Sequence, residues 1–463
     1  MTRSQNRGGM IARTMMQEHW SALGGDPDLV EKATVVGEGC LPSIFAVSDF
    51  AAAAIATAGL ALAEWSGSRS RTVPGICVDR RLASLWFGFS IAPQGWELPP
   101  TWDAIAGDYA ASDGWIRLHT NARHHRDAAL GVLRTKSERN AVAAAVATWR
   151  VDDLEAAIVA AGGCAAAMRN GQQWAIHPQG RSVLAEPLMR MELGMGSASF
   201  DPQFDASRPL AGIKVLDLTR VLAGPVATRF LAGFGADVLR IDPPEWDEGA
   251  VIPEVAPGKR CARLDLKNKN DRDRFMALLA EADVLVHGYR PDAMEVLDLG
   301  ADVRAKIRPG LIDVSLDAYG WSGPWANRRG FDSLVQMSCG IAAAGMACAG
   351  AERPVPLPVQ ALDHGAGYLL AAAAVRGLTV RHTQATGSRW RTSLARVGGF
   401  LTSYSQGLEA GGIGKPERAD YSDGLEQTDW GPALRLRPPL RLGETGMAWG
   451  RPAGKPGTSP AVW

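Results

Sequence analysis

Asp363 is the residue whose place in the chain most invites chemistry. It stands in Val359-Gln360-Ala361-Leu362-Asp363-His364-Gly365-Ala366-Gly367, directly ahead of an Ala- and Leu-rich run from Tyr368 to Leu378. An acid at the mouth of an apolar helix sits where its side-chain oxygen can accept from the free N–H groups of the first turn. Capping is the commonest reason for an aspartate there, and it is the reading that chemistry must displace. The two glycines that follow let another backbone or a ligand come close. Small basic clusters could hold an anion: Lys259-Arg260 with Arg263, Arg290, and Arg328-Arg329. Arginine grips phosphate through two parallel donors and lysine as a point charge, though most such side chains are simply solvated.

The elements that must position these residues follow from hydrophobic periodicity. Apolar runs at 213–218, 236–241, 283–287 and 311–316 read as buried strands. Helices are predicted from Gly224 to about Phe234 and over 271–281. Such alternation means a parallel sheet covered on both faces, whose ligands bind at the C-terminal strand ends. Arg220 to Ala223, Asp242 and Gly288-Tyr289-Arg290 lie at those ends.

Upstream, residues 1 to about 30 show little pattern and are expected to form a loose arm or a surface helix. An alanine-dense helix runs on to Trp65, a strand is expected near 75–78, and a turn at 113–119 feeds a short strand. Helices are predicted at about 125–134, 138–149 and 151–161. The stretch 194–209 is rich in Gly, Ser, Asp and Pro and reads as a linker. A faint internal repeat sets Asp49 and its alanine helix beside Asp363 and its own.

Length and composition bound the rest. The 463 residues suffice for two or three domains, and 46% hydrophobic with 21% charged residues supports a packed core. Lys+Arg 49 balances Asp+Glu 49, so no global field favours nucleic acid or an anionic membrane. The six cysteines are scattered, which argues against a metal site or a disulfide framework. The apolar stretch 50–63 is too short to span a bilayer, and a cytoplasmic protein is expected. No GxGxxG follows the first strand, and GxxxxGK[ST], HExxH and GxSxG are missing from the sequence. Dinucleotide, ATPase, metallopeptidase and hydrolase readings therefore lose support.

The order of the remaining motifs resembles the family III CoA-transferases of the CaiB/BaiF type. The resemblance is carried by 210–225 (Leu-Ala-Gly-Ile-Lys-Val-Leu-Asp-Leu-Thr-Arg-Val-Leu-Ala-Gly-Pro) and 234–242 (Phe-Gly-Ala-Asp-Val-Leu-Arg-Ile-Asp). Further blocks are Gly258-Lys259-Arg260, Tyr289-Arg290-Pro291, Gly320-Trp321-Ser322-Gly323-Pro324, Arg329-Gly330-Phe331-Asp332 with Gln336, and the Asp363 helix. It implies an α/β fold, with a Rossmann-like parallel-sheet large domain and a smaller α+β domain. It makes Asp363 the nucleophile that attacks an acyl-CoA thioester, with oxyanion donors at the helix start and at Gly365 or Gly367. It assigns Val221, Ala223, Lys259, Tyr289, Arg329 and Asp332 to the CoA site. The substrates would be an acyl-CoA and a small carboxylic acid, with no metal, nucleic acid or membrane involved, and the assembly an interlocked homodimer.

There are departures from the family pattern. Asp242-Pro243-Pro244 stands where an arginine often meets CoA phosphate, and Leu222 replaces a polar side chain. Phe331 takes the place of a histidine that related racemases pair with the aspartate. His364, next to Asp363, should point elsewhere on the helix. The halves also come in an unusual order. Residues 1–193 resemble the family's second half, 194–209 the linker, 210–427 the CoA-binding domain and 428–463 an extended closing tail. An acyl-CoA epimerase and a degenerate acyl-CoA-binding subunit remain alternatives to transfer, and Asp49 remains an alternative to Asp363.

Overall fold

The computed structural model describes residues 3–70, 72–197, 200–406 and 412–463. Its centre is a seven-stranded sheet in the order Lys259–Arg263, Asp237–Asp242, Lys214–Leu218, Val284–His287, Ile312–Asp317, Thr386–Ser393, Arg190–Gly196. The first six strands are mutually parallel and the last is antiparallel. Val284 lies opposite both Val215 and Ile312, so the apolar runs read from the sequence stack side by side. The four expected strands are all present, within a residue or so at each end. Strand order reverses between Lys214–Leu218 and Val284–His287, the place where an open α/β sheet leaves a crevice at its C-terminal edge.

Two expectations about boundaries are corrected here. Residues 194–196 do not belong to a linker, because Arg190–Gly196 is the edge strand hydrogen-bonded to Thr386–Ser393. The segment after Thr428 is no plain tail, since Gly431–Arg435 and Leu440–Leu442 are strands paired with Ile91–Pro93 and Ile76–Asp79. Neither pairing is visible locally, because their partners lie hundreds of residues away in the sequence.

Two 24-residue helices, Val47–Ser70 and Ala361–Gln384, are buried along almost their whole length and pack against each other. A helix apolar on every side must be enclosed, and alanine lets its neighbours approach closely. Val47–Ser70 is long and apolar enough to cross a membrane, yet 94% of its most apolar window is buried inside the protein. A third helix, Arg3–Ala22, packs on it through Met15, Met16 and Trp20. The segment expected to be a loose arm or a surface helix is thus a helix, and Met15, Met16 and Trp20 tie it to the core.

The faint repeat is structural. Val47–Ser70, Ile76–Asp79 and Arg80–Trp86 follow the same helix–strand–helix order as Ala361–Gln384, Thr386–Ser393 and Leu394–Thr402. Asp79 and Ser393 cap their helices in the same way, accepting from the N–H three residues on. Each copy's strand has a parallel neighbour on one side, Ala33–Val36 or Ile312–Asp317. On the other side lies an antiparallel strand contributed by the opposite half of the chain, Leu440–Leu442 or Arg190–Gly196. The small domain is a three-stranded antiparallel sheet (Gly107–Ala110, Trp115–Leu118, Ala165–Ala167) covered by the helices Arg123–Leu133, Arg139–Val146 and Val151–Ala160.

Candidate active site

Asp363 is the third residue of its helix, and it is not the cap. That task falls to Asp332, whose Oδ2 accepts from the N–H groups of Leu362 (2.9 Å) and Asp363 (3.0 Å). Asp332 is held in turn by the Gln336 amide, whose own oxygen takes the Leu357 N–H at 2.7 Å. Ala361 N–H donates to Val359 O and His364 N–H to Gln360 O. The amides at the helix start are thus engaged, and they are not free oxyanion donors. Nor do the glycines leave room for a ligand. A Cβ on Gly365 would meet Phe50 at 2.1 Å, and one on Gly367 would meet the Ala223 carbonyl at 2.5 Å. They are packing glycines between helices.

Relieved of capping, the Asp363 carboxyl is only 6% exposed and makes no hydrogen bond among the described residues. Burial pushes its pKa well above the ordinary carboxylate value, and the nearby Asp332 charge adds to the shift. Burial also raises Asp332, to about 6, against the pull of its donors. Because Asp332 accepts several hydrogen bonds and Asp363 none, the proton shared by the pair near neutrality resides on Asp363. A carboxylate so poorly solvated is more basic, and a better nucleophile, than one in water.

Asp363 lines a cavity of 320 Å³ at the C-terminal strand ends. Its walls come from the loop 218–224, from His287 to Arg290, from Leu316 to Ala318, from Arg328 to Phe331, and from His124 and His125 of the small domain. Cations dominate the lining. Arg220 donates to the Tyr289 hydroxyl at 2.6 Å and stacks 4.5 Å from the Trp246 ring, with no ion pair among the described residues. Arg329 has no ion pair there either, whereas Arg290 and Arg328 lie near Asp292 and Glu155. The other lining carboxyl, Asp317, accepts from Gly320 N–H and is pushed well above its ordinary pKa by burial. A larger open cleft of 640 Å³ adjoins Arg328, but its charged groups Glu155, Arg169 and Arg328 already pair with one another and Asp363 is not among its walls.

The loop carrying Val221 is strained on purpose-built support. Val221 has φ +61°, a conformation that costs a β-branched residue about 1–3 kcal/mol. Glu248 clamps it by accepting from the Val221 N–H at 2.5 Å, from Trp246 Nε1 and from Arg240, and Arg240 also binds Asp242. Asp242 therefore stabilises the loop and does not face a phosphate.

Among the residues expected to bind CoA, Val221, Ala223, Tyr289 and Arg329 line the cavity beside Asp363. Lys259 and Asp332 do not. The Lys259 ammonium is wholly buried and spends its three donors on Asp217 (2.9 Å), Pro225 O (2.9 Å) and Thr228 (2.7 Å). Asp332 is occupied with the helix start. Asp49 is also excluded from the site, because Arg80 holds both its oxygens at 3.0 and 3.2 Å. The cap alignment of the two copies sets Arg80 opposite Leu394, a cavity residue, so the Asp49 copy carries a cation where the Asp363 copy has a leucine at the cavity wall. His364 points away, as expected, and stacks on Phe87 in the core. Sequence reasoning missed Trp246, Asp317, His124 and His125. The adjacent histidines sat at the start of a segment read as a plain helix at about 125–134, and their only signal was their pairing. Among the described residues, no group of three His, Cys, Asp or Glu is placed to hold a metal ion.

Residues 210–426 match the family model of CoA-transferase family III. This segment belongs to that family. The family III segment is similar to an acetyl-coenzyme A transferase of Hypoxylon pulicicidum, 37% identical over 180 residues, which are 38% of this chain and 30% of that protein. It is 31% identical over 194 residues to a probable fatty acyl-CoA transferase of Mycobacterium tuberculosis, covering 39% and 49% of the two chains. A succinyl-CoA:glutarate CoA-transferase of Mus musculus is 31% identical over 198 residues, 40% and 44% of the two chains. The chain thus spans about half the length of these relatives or less. A crystal structure of a CaiB/BaiF family protein from Brucella suis superposes with a TM-score of 0.38 at 22% identity, covering 49% of this chain and 65% of that one.

Proposed function

We propose that the protein is a CoA-transferase that moves CoA from an acyl-CoA to a carboxylic acid, with Asp363 as the covalent nucleophile. The observation that carries this reading is a buried, unbonded carboxyl facing a cation-lined cavity at the sheet's C-terminal edge, within the family III segment. An Asp363 oxygen attacks the thioester carbonyl carbon, the C–S bond breaks, and CoA leaves as thiolate. The thiolate attacks the aspartyl carbonyl of the resulting anhydride, which releases the donor acid and leaves an aspartyl-CoA thioester. The acceptor carboxylate attacks that thioester and expels the thiolate, which then takes the acceptor's acyl group and frees Asp363. No net proton is consumed, and each step is an acyl transfer of modest barrier. Arg220, Arg290 and Arg329 supply charge for CoA phosphates at the cavity, with Val221, Ala223 and Tyr289 against its neutral parts.

Epimerisation gains no support from Phe331, which lies in the cavity wall and cannot move a proton. The second copy of the chain expected from the resemblance takes another form in this reading. Each half already lends a strand to the other's sheet, so one chain makes the interlock internally.

The test uses acetyl-CoA, succinyl-CoA and palmitoyl-CoA in turn, followed by hydroxylamine or borohydride and peptide mass spectrometry. Modification of the peptide holding Asp363, absent in Asp363→Asn, is expected with at least one of them. Deuterium wash-in at the acyl α-carbon without a modified peptide would replace transfer by epimerisation. Protection from heat by CoA with neither reaction would leave a binding subunit.

A further inference from the structure

We infer that His125, contributed by the small domain, is a further substrate-contacting residue of the transfer reaction. Its imidazole N–H donates to the oxyanion that forms when Asp363 attacks the acyl carbonyl. The inference rests on the covalent role of Asp363 and extends it to a residue outside the family III segment.

Each attack on a carbonyl generates a tetrahedral oxyanion, and such charge needs a hydrogen-bond donor already in place. The helix start cannot provide one, because its amides are bound to Asp332, Val359 and Gln360. His125 is 4% exposed, lines the same cavity as Asp363, and has neither ring nitrogen bonded to anything among the described residues. A buried imidazole without partners is costly unless a ligand completes it. Its ring packs 5.9 Å from Phe331, and the next residue, Asp332, holds the Asp363 amide. One link of covalent chain therefore separates the residue beside His125 from the one that sets the nucleophile. His125 remains a neutral imidazole, one N–H donor and one acceptor, because burial and its neighbours His124 and Arg329 oppose protonation. Of the other two cavity imidazoles, His124 is exposed, and His287 is committed to Asp313 through Nε2 at 3.2 Å, which leaves its second nitrogen without a hydrogen. No proton changes hands in the contact: His125 keeps its N–H, and the oxyanion collapses by expelling thiolate or carboxylate.

The test compares His125→Phe, His125→Gln, His125→Asn and His125→Ala, with the acyl-CoA that labels Asp363 in the wild type as probe. Phe keeps the packing against Phe331 and loses the N–H, whereas Gln and Asn keep a donor. The rate of exchange between the labelled free acid and its CoA thioester is expected to fall about 10²-fold in kcat for Phe and Ala. KM for the acyl-CoA should stay within about threefold, and Gln or Asn should recover at least a tenth of wild-type kcat. Melting curves establish which variants are folded. If Phe does not fold, the Ala and Asn pair carries the same contrast. Wild-type turnover in a folded Phe or Ala variant would overturn the inference. Absence of any Asp363 adduct in the wild type would instead remove the covalent reading on which the inference stands.

Discussion

Asp332 and Asp363 share one buried corner, and their division of labour fixes the pH behaviour of the site. Both titrate above the ordinary carboxylate value in the folded chain, Asp332 at about 6. The unfolded chain therefore ionises first as pH rises. The stability owed to these protonated groups is complete below about pH 4 and is lost as pH climbs through 6 and beyond. Asp363→Asn removes the carboxyl that burial and the Asp332 charge force to hold its proton in the folded chain. It should raise stability at pH 7–8, a gain that shrinks toward zero at pH 4. Melting temperatures across pH measure this, and a loss of stability at pH 8 would show that Asp363 is paired with something unseen. In activity the sign is opposite, since attack needs the ionised carboxylate. The acid limb of kcat/KM should lie above the usual carboxylate range, and Asp332→Asn should move it down. An unmoved limb would mean the two groups do not sense each other.

The helix Ala361–Gln384 aims Asp363, and its aim depends on how closely Val47–Ser70 lies against it. An added methyl at Gly365 would strike the Phe50 ring at 2.1 Å. That ring is fully buried and boxed in by His19, Phe87 and Phe400, so it cannot swing aside. Gly365→Ala should cost about 2–3 kcal/mol and most of the activity, and Phe50→Leu in the same chain should return part of both. Chemical denaturation of the two single variants and the double variant reads this coupling, and strict additivity would refute it. The same helix shows what the sequence could and could not disclose. The apolar strands 213–218 and 311–316 were legible because a parallel strand buried on both faces is apolar throughout. The Asp363 helix was legible for the same reason. Its cap was not, because the capping carboxylate comes from Asp332, about thirty residues upstream, and local grammar assigned the job to Asp363. Lys259 read as a phosphate ligand because a lysine in a basic cluster is normally solvated. Only the tertiary structure brings Asp217 to it inside the core. His125 was hidden for a complementary reason, since a histidine in an amphipathic helix of another domain carries no local mark of the cavity it will face.

At the scale of the whole molecule, the chain carries two copies of one helix–strand–helix unit, and its two halves complete each other. The first half sends Arg190–Gly196 to the edge of the large sheet, and the second half returns Leu440–Leu442 to the sheet of Ala33–Val36 and Ile76–Asp79. The helices Val47–Ser70 and Ala361–Gln384 bury each other at the junction. Only one copy keeps a usable carboxylate, because Arg80 neutralises Asp49 where Leu394 leaves Asp363 open. Neither half can then hide its apolar helix alone, and each lacks an edge strand. A chain cut after Gln203, in the exposed connection, should give two fragments that are insoluble or unfolded when made separately. Made together, they should co-purify one to one and melt in a single transition. The uncut chain should run as one copy of 49.2 kDa in light scattering, since both exchanged strands are already in place. A fragment that melts cooperatively by itself would show that the halves are independent domains. A uncut chain found only as a dimer would show that the exchange runs between molecules, with the connection near residue 203 bridging two copies instead of closing on one.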